Sequence, residues 1–264
     1  MKKKQLLFIL LLLYFTYASF SQTKNFKSFD DVNIFYNDEG EGEPVLLIHG
    51  FINSRKSWDN TQLKKDLLDK GYRVIVPDLR GNGDSDKPQN DKGYKNEAEV
   101  KDLKLLMNHL KINTYSAVGY SRGSIVLAKL ITKDKRINKA VLGGMGIDFT
   151  NPQWDRRILF AKAFDGDVND ETKAAVAYAK SINADLRSLH LQQKYQPVAS
   201  KKKLGKAKIA VMVICGDKDS DNGNSKELSN AFKKGELVIV PGDHNGTYKT
   251  ADFSDEILHF LYKF

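Results

Sequence analysis

Six short runs dominated by Val, Ile and Leu recur along this chain, each separated from the next by a stretch with helical periodicity: "PVLLIHG", "YRVIVPD", "YSAVGY", "NKAVLGGM", "IAVMVICG" and "ELVIVPG". The runs are nearly continuous in apolar residues rather than alternating with polar ones. A strand reads that way when helices cover both faces of its sheet. Strand–helix alternation of this kind predicts an α/β fold with a doubly wound, mostly parallel sheet. An earlier run, "NIFYN", reads as a further strand. Helices are expected over residues 57–70, ending at Gly71 as a natural cap, and over 96–110, 122–134, 226–233 and 253–262. Residues 148 to about 205 break the rhythm. They carry helical stretches such as "WDRRILFAKAF" and "ETKAAVAYAKS" but no convincing strand, so they read as a helical insertion.

The N-terminus has a separate logic. Lys2, Lys3 and Lys4 precede the apolar run Leu6–Phe15, and Ser19 and Ser21 put small residues just before Gln22. A basic region, a short apolar stretch and small residues at alternate positions describe a secretory signal peptide. Residues 1–21 are therefore expected to be removed on export to the periplasm or the outside, leaving 22–264 as one domain without a stable membrane anchor. No cysteine follows the apolar run, which excludes a lipid-modified N-terminus.

Composition removes several functional classes. The formal charge is +9, but its densest cluster, Lys201-Lys202-Lys203, has no interleaved aromatic residue on which bases stack. It reads as a solvated face, and no nucleic-acid partner is expected. Cys215 is the single cysteine, so no intramolecular disulfide can form, and its apolar neighbours mark it as a small buried hydrophobe. Cys/His spacing of the zinc type, a P-loop and a Gly-rich dinucleotide fingerprint are all missing from the sequence. The expected chemistry is that of side chains, with no cofactor and no metal.

Gly119-Tyr120-Ser121-Arg122-Gly123 fits G-x-S-x-G, with a strand before it and a helix after it. On such an elbow the serine takes strained backbone angles, and flanking glycines let neighbouring chain approach without a Cβ clash. The helix that follows points its first N–H groups at any negative charge forming beside Ser121. A serine hydroxyl is a weak nucleophile and needs an adjacent base. Of the five histidines, His109 and His259 sit in helical patterns with apolar neighbours, His190 lies in the insertion, and His49 shapes the turn after a strand. His244 follows the last strand in a loop, where an imidazole is accessible.

Four blocks together make the chain similar to the α/β-hydrolase superfamily over nearly all of residues 22–264: "VLLIHGF" at 45–51, "DLRGNGDSDKP" at 78–88, "GYSRGS" at 119–124, and "ICGDKD" with "VIVPGDH" near the C-terminus. The resemblance implies Ser121 as nucleophile, an acid after the "VMVIC" strand and His244 as base, in the chain order Ser, Asp, His. Asp217, Asp219 and Asp221 crowd the acid's loop. Relatives place the working acid at the second acidic position of G-[DE]-x-D, which implies Asp219, with Asp217 bracing the strand end. The backbone N–H groups of Arg122 and Phe51 are the expected oxyanion donors. Asp84 and Asp243 depart from what many relatives carry. Asp78 and Asp84 read as structural or exposed, and Trp58 and Trp154 as packing residues in the first place, with Trp154 and Phe164 of the insertion also open to a pocket role.

The expected activity is that of an exported serine hydrolase, or carboxylesterase, acting on a small-molecule acyl substrate. Other serine-dependent chemistry of the same fold (C–C bond hydrolysis, amide cleavage, perhydrolysis) and a ligand-binding protein with little turnover are the alternatives. Because ligands of open α/β sheets bind beyond the C-terminal strand ends, the insertion at 148–205 is expected to cover the site as a lid. Its walls are expected from Trp154, Leu159, Phe160, Phe164, Val176 and Tyr178.

Overall fold

The computed structural model describes residues 23–263, so the signal-peptide expectation for 1–21 lies outside the described residues. Among the described residues there are eight strands: β1 (Lys24–Lys27), β2 (Asn33–Glu39), β3 (Pro44–Ile48), β4 (Arg73–Pro77), β5 (Tyr115–Tyr120), β6 (Ile137–Gly143), β7 (Ala210–Gly216) and β8 (Gly235–Val240). The helices are α1 (Gln62–Asp69), α2 (Ala98–His109), α3 (Arg122–Ile131), α4 (Asp155–Phe164), α5 (Lys173–Ser181), α6 (Leu186–Lys194), α7 (Lys201–Leu204), α8 (Ser225–Asn230) and α9 (Ala251–Lys263). One sheet contains all eight strands in the order β1-β2-β4-β3-β5-β6-β7-β8. Pairings from β4 through β8 are parallel, while β1 and β2 form an antiparallel edge. The order reverses around β3, so the sheet is doubly wound as expected.

The continuous apolar runs have a direct physical explanation. Successive residues of a strand face opposite sides. Leu46 and Ile48 enter a core completed by α2, α3 and α8, whereas Val45 and Leu47 enter a second core completed by α1 and α9. Both sets are fully buried, so neither face of the sheet tolerates polar alternation. A third, small core holds Ile52 beside Ala163, Phe164, Val176, Ala179 and Leu189 of the segment between β6 and β7. That segment contains a short 3-10 turn at Ile147–Thr150 followed by α4 to α7, and no strand.

Two boundaries differ from the sequence reading. The helix expected from residue 57 begins at Gln62, because Arg55–Trp58 form a 3-10 turn that buries Trp58, and Thr61 then caps α1 by accepting from Lys64 N–H. Strand β1 was not expected. Its sequence "KNFK" buries only Phe26, too little apolar content to signal a strand. Among the described residues, no helix is long and apolar enough to cross a membrane.

One buried ionic cluster ties the edge of the sheet to α2. Arg80 is wholly buried and holds both Asp102 oxygens at 2.6 Å and Asp30 at 2.9 and 3.1 Å. Breaking a buried pair strands a charge and costs about 3–5 kcal/mol, whereas removing both partners costs less. Urea denaturation of Arg80→Leu should therefore show a loss of about that size. The Arg80→Leu/Asp102→Leu double variant should recover part of it. A double variant less stable than the single one would mean that the pair itself stabilises the fold.

Candidate active site

Ser121 stands between the end of β5 and the first residue of α3, with φ 53° and ψ −121°. A side chain at this backbone conformation is strained, at a cost of about 1–3 kcal/mol. The surroundings enforce it. Ser121 N–H donates to Gly143 O at 2.8 Å, Ser124 N–H donates to Ser121 O at 2.9 Å, and the Ser124 hydroxyl lies 2.8 Å from both Gly119 O and Gly143 O. The two glycines of the motif are required by close approach. A Cβ on Gly119 would lie 2.5 Å from Gly123 O, and one on Gly123 would lie 2.3 Å from Ile48 O and 2.7 Å from His49 O. Helix α3 can therefore press against the end of β3 only because these positions carry no side chain.

Ser121 Oγ lies 2.9 Å from His244 Nε2, and His244 Nδ1 lies 2.8 Å from Asp219 Oδ2. The Asp219 side chain is 2% exposed and that of His244 is 26% exposed. Three residues far apart in sequence thus form one hydrogen-bonded line at the C-terminal edge of β5, β7 and β8. Asp217 stands elsewhere. It is exposed and accepts from Gly242 N–H at 2.9 Å, bracing the loop that carries His244. Asp221 is exposed as well.

The loop after β3 is held by His49, which is buried. Leu79 N–H donates to its Nε2 at 3.0 Å, so the ring proton resides on Nδ1 and is donated to Gly50 O at 2.8 Å. Burial pushes His49 below its ordinary titration range and keeps it neutral. Phe51, next in the chain, lines both cavities beside Ser121, and Arg122 lines the smaller of them. Arg122 is the first residue of α3, where a backbone N–H has no intrahelical acceptor. Its guanidinium points away and holds Glu99 through two 2.7 Å bonds, with a third to Gln192 O at 3.0 Å.

The remaining candidates fall into structural positions. Asp78 is fully buried, accepts from Arg55 N–H at 2.6 Å and Asp84 N–H at 2.8 Å, and pairs with the Arg55 side chain. Arg55 also holds Asp84 at 2.6 Å, and that contact keeps the Asp84 carboxyl below the usual range. The unusual Asp84 thus has a cationic partner of its own. Asp243 caps its loop by accepting from Asn245 and Gly246 N–H. His109 stacks on Phe26, and His190 joins α6 to α4 through Ala161 O at 2.8 Å.

Two cavities flank Ser121. The larger, about 370 Å³, is bounded by Phe51, Tyr120, Tyr248 and Tyr178 of α5. The smaller, about 70 Å³, is bounded by Ile125, Met145, Trp154 and Phe160. Of the six apolar wall residues expected from the insertion, Trp154, Phe160 and Tyr178 line these spaces. Phe164 and Val176 instead fill the small core beneath α4 and α5, and Leu159 is half-buried and lines neither cavity. Amphipathic spacing marks an apolar face but does not say whether it meets a cavity or another helix.

Three residues that sequence reasoning missed complete the site. Tyr120 Oη donates to His244 O at 2.8 Å, and its ring packs 5.5 Å from the imidazole. Ser124 ties the elbow as described. Asn222 places its amide 3.0 Å from His244 Nδ1 and 3.4 Å from Asp219 Oδ1. Only Ser124, three residues after Ser121 on the first turn of α3, had a positional signal. Tyr120 and Asn222 act across the fold.

Comparison with known proteins agrees with this architecture. A non-heme chloroperoxidase of Streptomyces lividans is 37% identical over 117 residues, 43% of this chain and 41% of that protein. A 2-hydroxymuconate semialdehyde hydrolase of Pseudomonas sp. (strain CF600) is 32% identical over 161 residues, 55% of this chain and 56% of that protein. The matched stretches span roughly two-fifths to three-fifths of such curated relatives' own length. Among solved structures, a bromoperoxidase from Bacillus anthracis superposes with a TM-score of 0.72 at 24% identity, covering 91% of this chain and 99% of its own. An esterase from Exiguobacterium antarcticum gives 0.73 at 18% identity, covering 92% and 98%. At those identities the likeness is one of fold. Residues 43–196, more than half of the sequence, match the family described as alpha/beta hydrolase fold. By that match, this chain belongs to the alpha/beta hydrolase family.

Proposed function

We propose that this protein is a serine hydrolase that cleaves a carboxylic ester or related acyl compound through an acyl-enzyme, without a cofactor. The observation that carries the reading is the hydrogen-bonded line from Ser121 Oγ through His244 to the buried Asp219 at a cavity mouth. In this reading His244 Nε2 takes the Ser121 proton as Oγ attacks the acyl carbon, then returns it to the leaving alcohol oxygen. Water attacks the acyl carbon in the second half, losing a proton to His244, which returns it to Ser121 Oγ as the acyl–Oγ bond breaks and the carboxylic acid leaves. Asp219 holds the imidazole with its Nδ1–H inward and stabilises the imidazolium. The developing oxyanion is met by the N–H groups of Phe51 and Arg122, each such donor being worth about 2.7–4 kcal/mol. The strain at Ser121 keeps Oγ raised above the sheet edge, where both groups can reach the substrate.

The two unequal cavities suggest how the substrate divides. A space of about 70 Å³ beside Trp154 and Phe160 suits a short acyl part, and the space of about 370 Å³ suits the leaving group. The segment at 148–205 is in this reading a lid, because its Trp154, Phe160 and Tyr178 supply walls on the side away from the sheet. A second reading draws on the relatives called non-heme chloroperoxidase: hydrogen peroxide, in place of water, would take the acyl group from Ser121 and leave as a peracid. A panel of esters, amides and diketones, run with and without peroxide, separates these readings. Failure of a fluorophosphonate to label Ser121, with no turnover across the panel, would overturn both.

Asp219→Asn should keep the fold and lower kcat on the order of 10⁴-fold, by the loss seen when a triad acid no longer holds its histidine. Asp217→Asn should cost far less, because an amide oxygen can still accept from Gly242 N–H. Steady-state kinetics giving the reverse order would move the acid to Asp217.

Trp154→Ala and Phe160→Ala should enlarge the smaller cavity. Relative kcat/KM should then rise for longer acyl chains, one methylene in an apolar pocket being worth about 1–3 kcal/mol. Labelling of Ser121 by a small fluorophosphonate should persist in both. An unchanged chain-length profile would remove the acyl part from this cavity.

A further inference from the structure

We propose that Asn222 is a positioning residue whose side-chain amide donates to the second oxygen of Asp219, keeping that buried carboxylate ionised and turned toward His244. The inference rests on the reading of Ser121, His244 and Asp219 as the reacting set, and goes beyond it by assigning a fourth side chain.

Asp219 is an anion in an unfavourable place. Its side chain is 2% exposed, and a carboxylate out of water is pushed toward its neutral form unless donors compensate. Among the described residues, two side chains hydrogen-bond to it: His244 Nδ1 at 2.8 Å on Oδ2 and Asn222 Nδ2 at 3.4 Å on Oδ1. Without Asn222, the Oδ1 oxygen would have no side-chain donor. A proton bound there would cancel the charge that stabilises the imidazolium.

The Asn222 amide nitrogen faces Asp219 Oδ1 at 3.4 Å, donor toward acceptor. Its nitrogen also lies 3.0 Å from His244 Nδ1, but an amide nitrogen accepts no proton, so Nδ1–H belongs to Asp219 Oδ2. Asn222 therefore touches both members of the pair while hydrogen-bonding to one. Its main chain is fixed independently: Asn222 O accepts from Gly146 N–H at 2.7 Å, and a Cβ on Gly146 would lie 2.0 Å from Gly223 C. The loops after β6 and β7 are locked together at this point, which sets the reach of the amide.

The acidic limb of a pH–rate profile reports on the pair. Other titratable groups near it are Tyr120 on β5, Cys215 on β7, Tyr248 in the 3-10 turn before α9, and the exposed Asp217, Asp221 and Asp243. Burial pushes Tyr120 and Cys215 up, so both stay protonated on this limb.

The test is the pH dependence of kcat/KM on p-nitrophenyl acetate for the parent, Asn222→Leu, Asn222→Ala and Ser121→Ala, with thermal unfolding of each. Leu fills the same volume without a donor. Loss of the donor disfavours the anion, so the pair takes up its proton at higher pH. The acidic limb of Asn222→Leu should move upward by about one pH unit, the size expected for one hydrogen bond to a charged group. Asn222→Ala leaves room for water to donate and should move less. Should the Leu variant not fold, the Ala variant decides, by an upward shift or none. A lowered plateau with an unmoved limb in the folded variants overturns the assignment while leaving the serine reading intact. Turnover that survives Ser121→Ala overturns that reading and Asn222 with it.

Discussion

Everything at this site hangs on one residue in a backbone conformation it would not choose. Ser121 at positive φ is held there by hydrogen bonds from both sides, Gly143 O accepting its N–H and Ser124 drawing on its carbonyl. Those bonds exist because β5 pairs with β6 in parallel register up to Tyr120 and Gly143, and because α3 starts at once and packs without Cβ atoms against β3. The fold thus supplies the energy that keeps the serine strained. A core of this size tolerates a local cost of about 1–3 kcal/mol as long as the strands on either side are fully buried.

The insertion is joined to that same elbow by polar contacts rather than by apolar ones alone. Arg122 adjoins Ser121, pairs with the buried Glu99 of α2, and donates to Gln192 O on α6. Gln192 in turn donates to Arg80 O at 2.8 Å and to the Asn82 side chain. Helix α6 is therefore anchored to the body by buried groups that lose heavily if separated. By contrast, α5 presents Tyr178 and Ile182 to solvent at 53% and 46% exposure. The anchored helix backs the smaller cavity through Gln193, and the lightly held one borders the larger through Tyr178.

The legible part of this protein was whatever a local pattern must satisfy. Continuous Val/Ile/Leu runs forced two covered sheet faces, and the glycines around Ser121 forced a close approach, so fold and elbow could be read directly. His244 was legible through its place after the last strand, and Asp219 only through the resemblance to relatives that carry the acid at the second acidic position of G-[DE]-x-D. The other parts depend on distant pairings. Strand β1 has one buried residue and is a strand only because β2 offers it an edge. Asp84 looked anomalous until Arg55, nearly thirty residues earlier, proved to be its partner. Phe164 and Phe160 sit four residues apart on α4, yet one fills a core and the other borders a cavity. The difference lies in how α4 leans on Phe51 and Ile52, which no spacing in α4 records.

The histidine poses the hardest positional problem, since it is carried by a loop and must meet a serine 123 residues away within hydrogen-bond distance. Four contacts share the task. Asp243 caps the turn, Asp217 fixes Gly242, Tyr120 Oη holds the His244 carbonyl, and Asp219 takes Nδ1. Tyr120 is also the residue immediately before Ser121, and its ring lies against Gly143 and Gly144, where any Cβ would come within 2.7 Å of it. One aromatic side chain therefore spans from the elbow to His244, and Gly143 and Gly144, at the end of β6 and just beyond it, leave room for its ring. The distance between Ser121 and His244 is in this way set by the length of a tyrosine rather than by the flexibility of a loop.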